Sequence, residues 1–132
     1  MTAIDDLFAL ALAARGRAYA PYSRFPVGAA LRTPGGAAFS GCNVENAAYP
    51  LGVCAETSAI SAMIAAGERA IAEILVLGPG AQKIAPCGAC RQRIAEFAGD
   101  KTLVHLAEEA GGVSTFAFGE MLPHAFGPQS LA

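Results

Sequence analysis

Cys87 and Cys90 sit in Pro86-Cys87-Gly88-Ala89-Cys90, and Cys54-Ala55-Glu56 lies upstream. These two short stretches offer three thiolates and one carboxylate. Structural zinc sites close with four protein ligands, whereas catalytic sites keep one position open for water. Three cysteines with a spare glutamate therefore point to a zinc ion that activates water, with Glu56 handling the protons. A dipositive ion held by three thiolates leaves the site singly negative, which makes bound water less acidic than in a three-histidine site. Something must drain that charge. Helix N-termini contribute, and Arg91, beside Cys90, either donates to a thiolate or points to solvent as a surface arginine.

The elements around these motifs explain why they would converge. Ile4, Leu7, Phe8, Ala11 and Leu12 recur at helical spacing, predicting an amphipathic helix over about 4–19. Strands are expected at 27–31 and 38–42, around the turn cluster Thr33-Pro34-Gly35-Gly36, followed by a loop over 43–53. A second helix begins at about Ala55 and stops at Gly67, a strand covers 74–77, and a third helix runs from about Cys87 to Phe97. Further strands are expected at 103–106 and 114–118, with a short helical piece near Glu120. This order fits one sheet covered by helices.

Each cysteine motif thus opens a helix, where unpaired N–H groups and the helix dipole favour thiolate. Glu56, Ile60 and Met63 share one face of their helix, and Cys90, Ile94 and Phe97 share one face of theirs. The isoleucines should point inward, and so should Glu56 and Cys90. A carboxylate aimed at a core needs a partner or a task. The plainer readings are an N-terminal helix charge for Glu56 and small buried hydrophobes for the cysteines, and the combined spacing disfavours both. Cys42 has no partner at metal spacing and should fill the core. His105 in a strand and His124 in a Pro-bounded turn read as structural or surface residues.

The bulk properties narrow the function class. The chain has 132 residues, which suits one domain spanning 1–132. Hydrophobic residues make up 54%, mean hydropathy is +0.42, and net charge is −2. A buried core is affordable, and part of the surface is expected to be covered by other subunits. The scattered cations form no basic stripe, so a nucleic-acid partner is not expected. Asp5 and Asp6 precede the first apolar run, unlike a secretory leader, and no run reaches membrane-spanning length. A cytoplasmic location follows as the expectation, with the four cysteines reduced and available to metal.

Cys-x-Glu joined to Pro-Cys-x-x-Cys is recognised as the pattern of zinc-dependent nucleobase deaminases. The resemblance extends to Pro21-Tyr22-Ser23-Arg24-Phe25-Pro26-Val27-Gly28-Ala29-Ala30, to Gly41-Cys42-Asn43-Val44-Glu45-Asn46-Ala47-Ala48-Tyr49 and to Leu122-Pro123-His124-Ala125-Phe126-Gly127. Over most of its length the chain resembles the small, single-domain cytidine deaminases, whose subunits form homotetramers. The resemblance implies a three-layer α/β/α fold with a mixed five-stranded sheet, one Zn2+ per subunit, and a free nucleoside substrate. It implies that Cys54, Cys87 and Cys90 hold the metal and that Glu56 is catalytic. Asn43 and Glu45 would hold the ribose hydroxyls, suitable partners because hydroxyls both donate and accept. Phe25 would wall the pocket, Tyr49 would lie near the sugar 5′ end, and Phe126 would reach the pyrimidine ring of a neighbouring subunit. The Ala55 N–H would bond the base carbonyl, and the Cys87 carbonyl would accept from the exocyclic amine.

The implied reaction is hydrolytic deamination of cytidine or 2′-deoxycytidine, in pyrimidine salvage. Many relatives place an arginine directly after the catalytic glutamate; here that residue is Thr57, so Arg91 and the helix ends would carry more of the charge balance. Rival readings are a deaminase of a modified aminonucleoside, a polynucleotide deaminase, and a non-catalytic zinc module. The last would require a fourth protein ligand.

Overall fold

Thr2 opens the first helix with a reciprocal cap: its Oγ1 accepts from the Asp5 N–H at 3.1 Å, and the Asp5 carboxylate accepts from the Thr2 N–H at 2.9 Å. In the computed structural model, which describes residues 2–132, α1 spans Ala3–Arg15 and stops short of the predicted end at residue 19. The cause is a long-range contact. The Tyr19 N–H donates to the Asn43 carbonyl at 3.0 Å and its carbonyl accepts from the Glu45 N–H at 2.8 Å. That backbone is committed to an isolated bridge with Val44 and cannot continue a helix.

The remaining strands and α-helices are β1 (Gly28–Arg32), β2 (Ala38–Cys42), α2 (Ala55–Ala65), β3 (Glu73–Leu77), α3 (Gly88–Phe97), β4 (Leu103–Ala107), β5 (Val113–Ala117) and α4 (Phe118–Met121). The β1–β2 hairpin closes on Gly36, at φ 97°, whose N–H donates to the Thr33 carbonyl at 2.9 Å. The strand order is β2-β1-β3-β4-β5, with β3 and β4 parallel and every other pair antiparallel. It is a mixed five-stranded sheet.

Alternation along the strands serves two layers. On one face Ala30, Leu75, Leu77 and Ala107 pack against Leu7 and Ala11 of α1. On the other, Ala29, Leu31, Ile74, Val76, Val104 and Leu106 meet Ala59, Ile60 and Met63 of α2 and Ile94 of α3. Complete burial of a side chain such as Met63 or Ile94 contributes roughly 1.5–3 kcal/mol.

Two glycines set how closely the layers approach. A Cβ on Gly28 would collide with the Ala11 carbonyl of α1. A Cβ on Gly41 would lie 2.5 Å from the Ala59 nitrogen and 2.8 Å from the Ala55 carbonyl oxygen. The missing side chain at Gly41 lets the start of α2 lie directly on β2, and the Ser58 hydroxyl locks it there by donating to the Cys42 carbonyl at 2.9 Å. Cys42 is therefore half-buried beside this contact and does not fill the core as expected. No helix among the described residues is long and apolar enough to cross a membrane.

Candidate metal centre and nucleoside pocket

Cys54 and Cys87 are the residues immediately before α2 and α3, both in extended backbone. Cys90 lies three residues after Cys87, in the first turn of α3, and is fully buried. The three Sγ atoms all lie within 4.8 Å of one another, and those of Cys54 and Cys87 are 3.9 Å apart. Tetrahedral zinc with Zn–S near ~2.3 Å separates its sulfurs by about 3.8 Å, so this donor set fits the ion. Among the described residues no His, Asp, Glu or further Cys joins the cluster, which leaves the fourth position to a non-protein ligand.

Crowding the sulfurs polarises their acidity. The Cys54 thiol is pushed up by its hydrogen bond to Cys90, by burial and by the neighbouring charges. Cys90 is pushed down by accepting from Cys54, with further help from Thr57, Cys87 and Arg93. Glu56, only 4% exposed, is raised to about 7 by burial and then by the Cys90 charge. A dipositive ion at the sulfurs converts that repulsion into attraction.

A cavity of about 560 Å³ opens over the cluster, within the usual size for a small-molecule site. Cys54, Ala55, Glu56 and Cys87 form its metal end, and Phe25, Asn43, Glu45 and Tyr49 line the remainder. Two of these side chains also hold the wall in shape. Asn43 Oδ1 accepts from the Val27 N–H at 2.9 Å, and its Nδ2 donates to the Phe25 carbonyl at 2.9 Å. Glu45 accepts from the N–H groups of Tyr22 and Ser23 at 2.9 and 3.1 Å, and from the Ser23 hydroxyl. These bonds, the Ser23 hydroxyl first, hold the Glu45 carboxyl below the usual glutamate range. Each clamp leaves lone pairs, and Asn43 keeps a second N–H, for a ligand.

Between the clamps Arg24 takes φ 56°, a left-handed conformation that costs a non-glycine residue of order 1–3 kcal/mol. The bonds on either side impose it, and they fix Phe25 at the pocket. Tyr49 is largely exposed at the rim, its ring centroid 5.8 Å from that of Tyr22.

Three expected site residues lie outside this cavity. Cys90 is behind it, reaching the cluster from within α3. Arg91 takes neither anticipated position: its Nε donates to the Pro86 carbonyl at 2.9 Å and an Nη to the Met121 carbonyl at 2.9 Å. It ties the residue before Cys87 to α4 and leaves the thiolates alone. Phe126 is 61% exposed, and its carbonyl accepts from Gln92 Nε2 at 2.8 Å. It borders a separate depression with Asp100 and His124. His105 is buried between Glu73 and Thr115, 2.8 Å from each, away from the sulfurs.

Sequence reasoning missed Ser23 and Ile84. Ser23 braces Glu45 and also accepts from the Phe25 N–H at 3.1 Å. Ile84 walls the pocket and folds over Gly78, where an added Cβ would come within 2.9 Å of it. Gly78 directly follows the strand expected at 74–77. Its lack of a side chain was the available signal.

Comparison with known proteins agrees with this geometry. Residues 1–107 match the family described as "Cytidine and deoxycytidylate deaminase zinc-binding region". The chain is 39% identical to a cytidine deaminase of Sporosarcina psychrophila over 98% of its own length and 95% of the relative's. It is 40% identical to one from Halalkalibacterium halodurans, covering 92% of each chain. The crystal structure of cytidine deaminase from Burkholderia pseudomallei superposes with a TM-score of 0.89 at 48% identity, over 96% of this chain and all of the other. Sequence and architecture agree: the chain belongs to the cytidine and deoxycytidylate deaminase family.

Proposed function

We propose that this chain catalyses the zinc-dependent hydrolytic deamination of free cytidine and 2′-deoxycytidine to uridine and 2′-deoxyuridine with release of ammonia. The observation that carries the reading is Glu56. It is a buried carboxylate two residues after a thiol of the three-sulfur cluster, facing the same cavity as Asn43 and Glu45.

Cys54, Cys87 and Cys90 would hold the zinc, which when bound supplies Lewis acidity that makes water nucleophilic near neutral pH. Glu56 takes a proton from water and delivers it to N3 of the pyrimidine. The resulting hydroxide adds to C4. Glu56 then transfers the remaining hydroxyl proton to the amine, the C4–N bond breaks, and ammonia leaves a C4 carbonyl. The Ala55 N–H, one of the unpaired donors of the first α2 turn, faces the base carbonyl. The Cys87 carbonyl already accepts from the Arg91 N–H at 2.9 Å and offers its second lone pair to the departing amine. Phe25 packs on the nucleoside, Asn43 and Glu45 hold the ribose hydroxyls, and Tyr49 lies at the sugar 5′ end. Arg91 positions Cys87 through Pro86.

The working form is a homotetramer in which Phe126 completes a neighbour's pocket. This is supported by the exposure of Phe126 and by Tyr19, Tyr22, Val44 and Leu51, apolar side chains left in solvent on one subunit. The chain acts as one domain over residues 1–132, and the reaction fits pyrimidine salvage in the cytoplasm.

Ultraviolet absorbance on mixing zinc-replete protein with cytidine tests the reading. The expected result is a decline matching conversion to uridine. No change with zinc bound would refute it and redirect attention to modified aminonucleosides.

A further inference from the structure

The segment between β3 and α3 carries a side chain that the reaction steps above do not use. Ile84 lines the nucleoside cavity together with Ala85 and Cys87, and it packs against the main hydrophobic core. Its Cδ1 and Cγ1 also rest on Gly78, where an added Cβ would lie 2.9 and 3.1 Å from them. Gly78 itself does not line the cavity, so Ile84 stands between the glycine and the open space. The glycine is held from behind. Its carbonyl accepts from Arg15 Nη1 at 2.7 Å, and Arg15 is paired with Glu109 at 3.0 Å. The Gly80 carbonyl accepts from the Glu109 N–H at 3.2 Å. With that backbone fixed in a close-packed setting, bulk added at residue 78 drives the Ile84 side chain toward the cavity.

The chemistry of the base decides which ring edge meets Ile84. In the proposed pose Glu56 serves N3, the Ala55 N–H faces the carbonyl oxygen, and the Cys87 carbonyl takes the exocyclic amine. C5 follows C4 around the ring on the side away from N3. It therefore turns from α2 toward the segment that leads into Cys87. Ile84 and Ala85 line the cavity there with apolar side chains, which suit a ring carbon that makes no hydrogen bond.

We propose that Ile84, backed by Gly78, gauges the C5 position of the pyrimidine and sets how large a 5-substituent the site accepts. Ile84 is a specificity residue, and Gly78 positions it. The inference rests on the deaminase reading of the site.

Its test is kcat/KM for cytidine, 5-methylcytidine and 5-bromocytidine, with 2′-deoxycytidine as the control for the sugar end. The proteins are the zinc-loaded parent, Gly78→Ala, Ile84→Ala and the double variant Gly78→Ala/Ile84→Val. Gly78→Ala should lower the ratio of 5-methylcytidine to cytidine by about 10-fold, the scale of one methyl group in an apolar pocket. Ile84→Ala should raise the ratio of 5-bromocytidine to cytidine by a similar factor. The double variant lacks the Cδ1 nearest residue 78 and should return toward the parent's ratios. The ratio of 2′-deoxycytidine to cytidine should hold at the parent's value throughout. Parent-like ratios for the 5-substituted substrates in the folded single variants overturn the proposal. So does a fall shared equally by all four substrates, which a merely structural role would give. If Gly78→Ala fails to fold, an unmoved ratio in Ile84→Ala overturns it alone. A parent that leaves cytidine unchanged refutes the deaminase reading itself, a separate failure.

Discussion

The Sγ atoms of Cys54 and Cys87 lie 3.9 Å apart although the residues are 33 positions apart in sequence. Each ends an extended segment and starts a helix, so the junction of two helix N-termini defines the centre. A short sulfur–sulfur approach among three thiols is unfavourable when protons must be shared and favourable when a cation sits between them. Replacing Cys87 by alanine should abolish stoichiometric zinc in the purified protein. Chelating zinc from the parent should lower its melting temperature, because the ion binds only the folded chain. Atomic absorption and a melting curve check both.

Close contact between α2 and β2 is the mechanical condition for the site. Gly41→Ala forces a Cβ to within 2.5 Å of the Ala59 nitrogen, backbone that cannot rotate aside. The expected cost is about 1–3 kcal/mol of stability. Turnover should fall as well, since Ala55 and Glu56 move with the start of α2. Chemical denaturation and initial rates measure the two effects.

Glu45 is held ionised by the Ser23 hydroxyl and two N–H groups. Its folded carboxyl titrates below the unfolded one, so its stabilising contribution is present above the unfolded value of 4.5 and lost as pH falls through the folded one. Ser23→Ala should move the Glu45 titration upward, toward the ordinary value. Carbon-13 carboxyl NMR reads this directly, and an unmoved titration would contradict the clamp.

If Phe126 serves a neighbouring pocket, two defective subunits can repair each other. On this reading Glu56→Gln would lack the proton carrier, and Phe126→Ala would lack the group given to its neighbour. Co-assembled, they should form some pockets with both residues intact. Activity above the sum of the separate variants is expected; strict additivity would contradict the shared pocket.

The convergence of Cys54, Cys87 and Cys90 beside a buried Glu56 was legible in the sequence because the spacing is local: Cys-x-Glu and Cys-x-x-Cys each sit within one helical turn, and the helical period sets which way they face. The hairpin was legible through Thr33-Pro34-Gly35-Gly36. What stayed hidden depends on contacts between distant segments. The end of α1 is set by Tyr19 pairing with Val44, and nothing in the local period announces it. Arg91 had two anticipated positions and took a third, because α4 brings the Met121 carbonyl within reach. Asn43 and Glu45 were read as ribose partners; their work of bracing Phe25 and Ser23 appears only when the two loops are side by side.

The most direct test of the account is cytidine turnover by zinc-loaded Glu56→Gln beside zinc-loaded parent. Loss of a proton-transfer group costs on the order of 10²–10⁴-fold in rate, and a group serving several steps should cost at least that. The account predicts such a loss with zinc content and fold unchanged. Parent-like turnover by the zinc-loaded variant would contradict it.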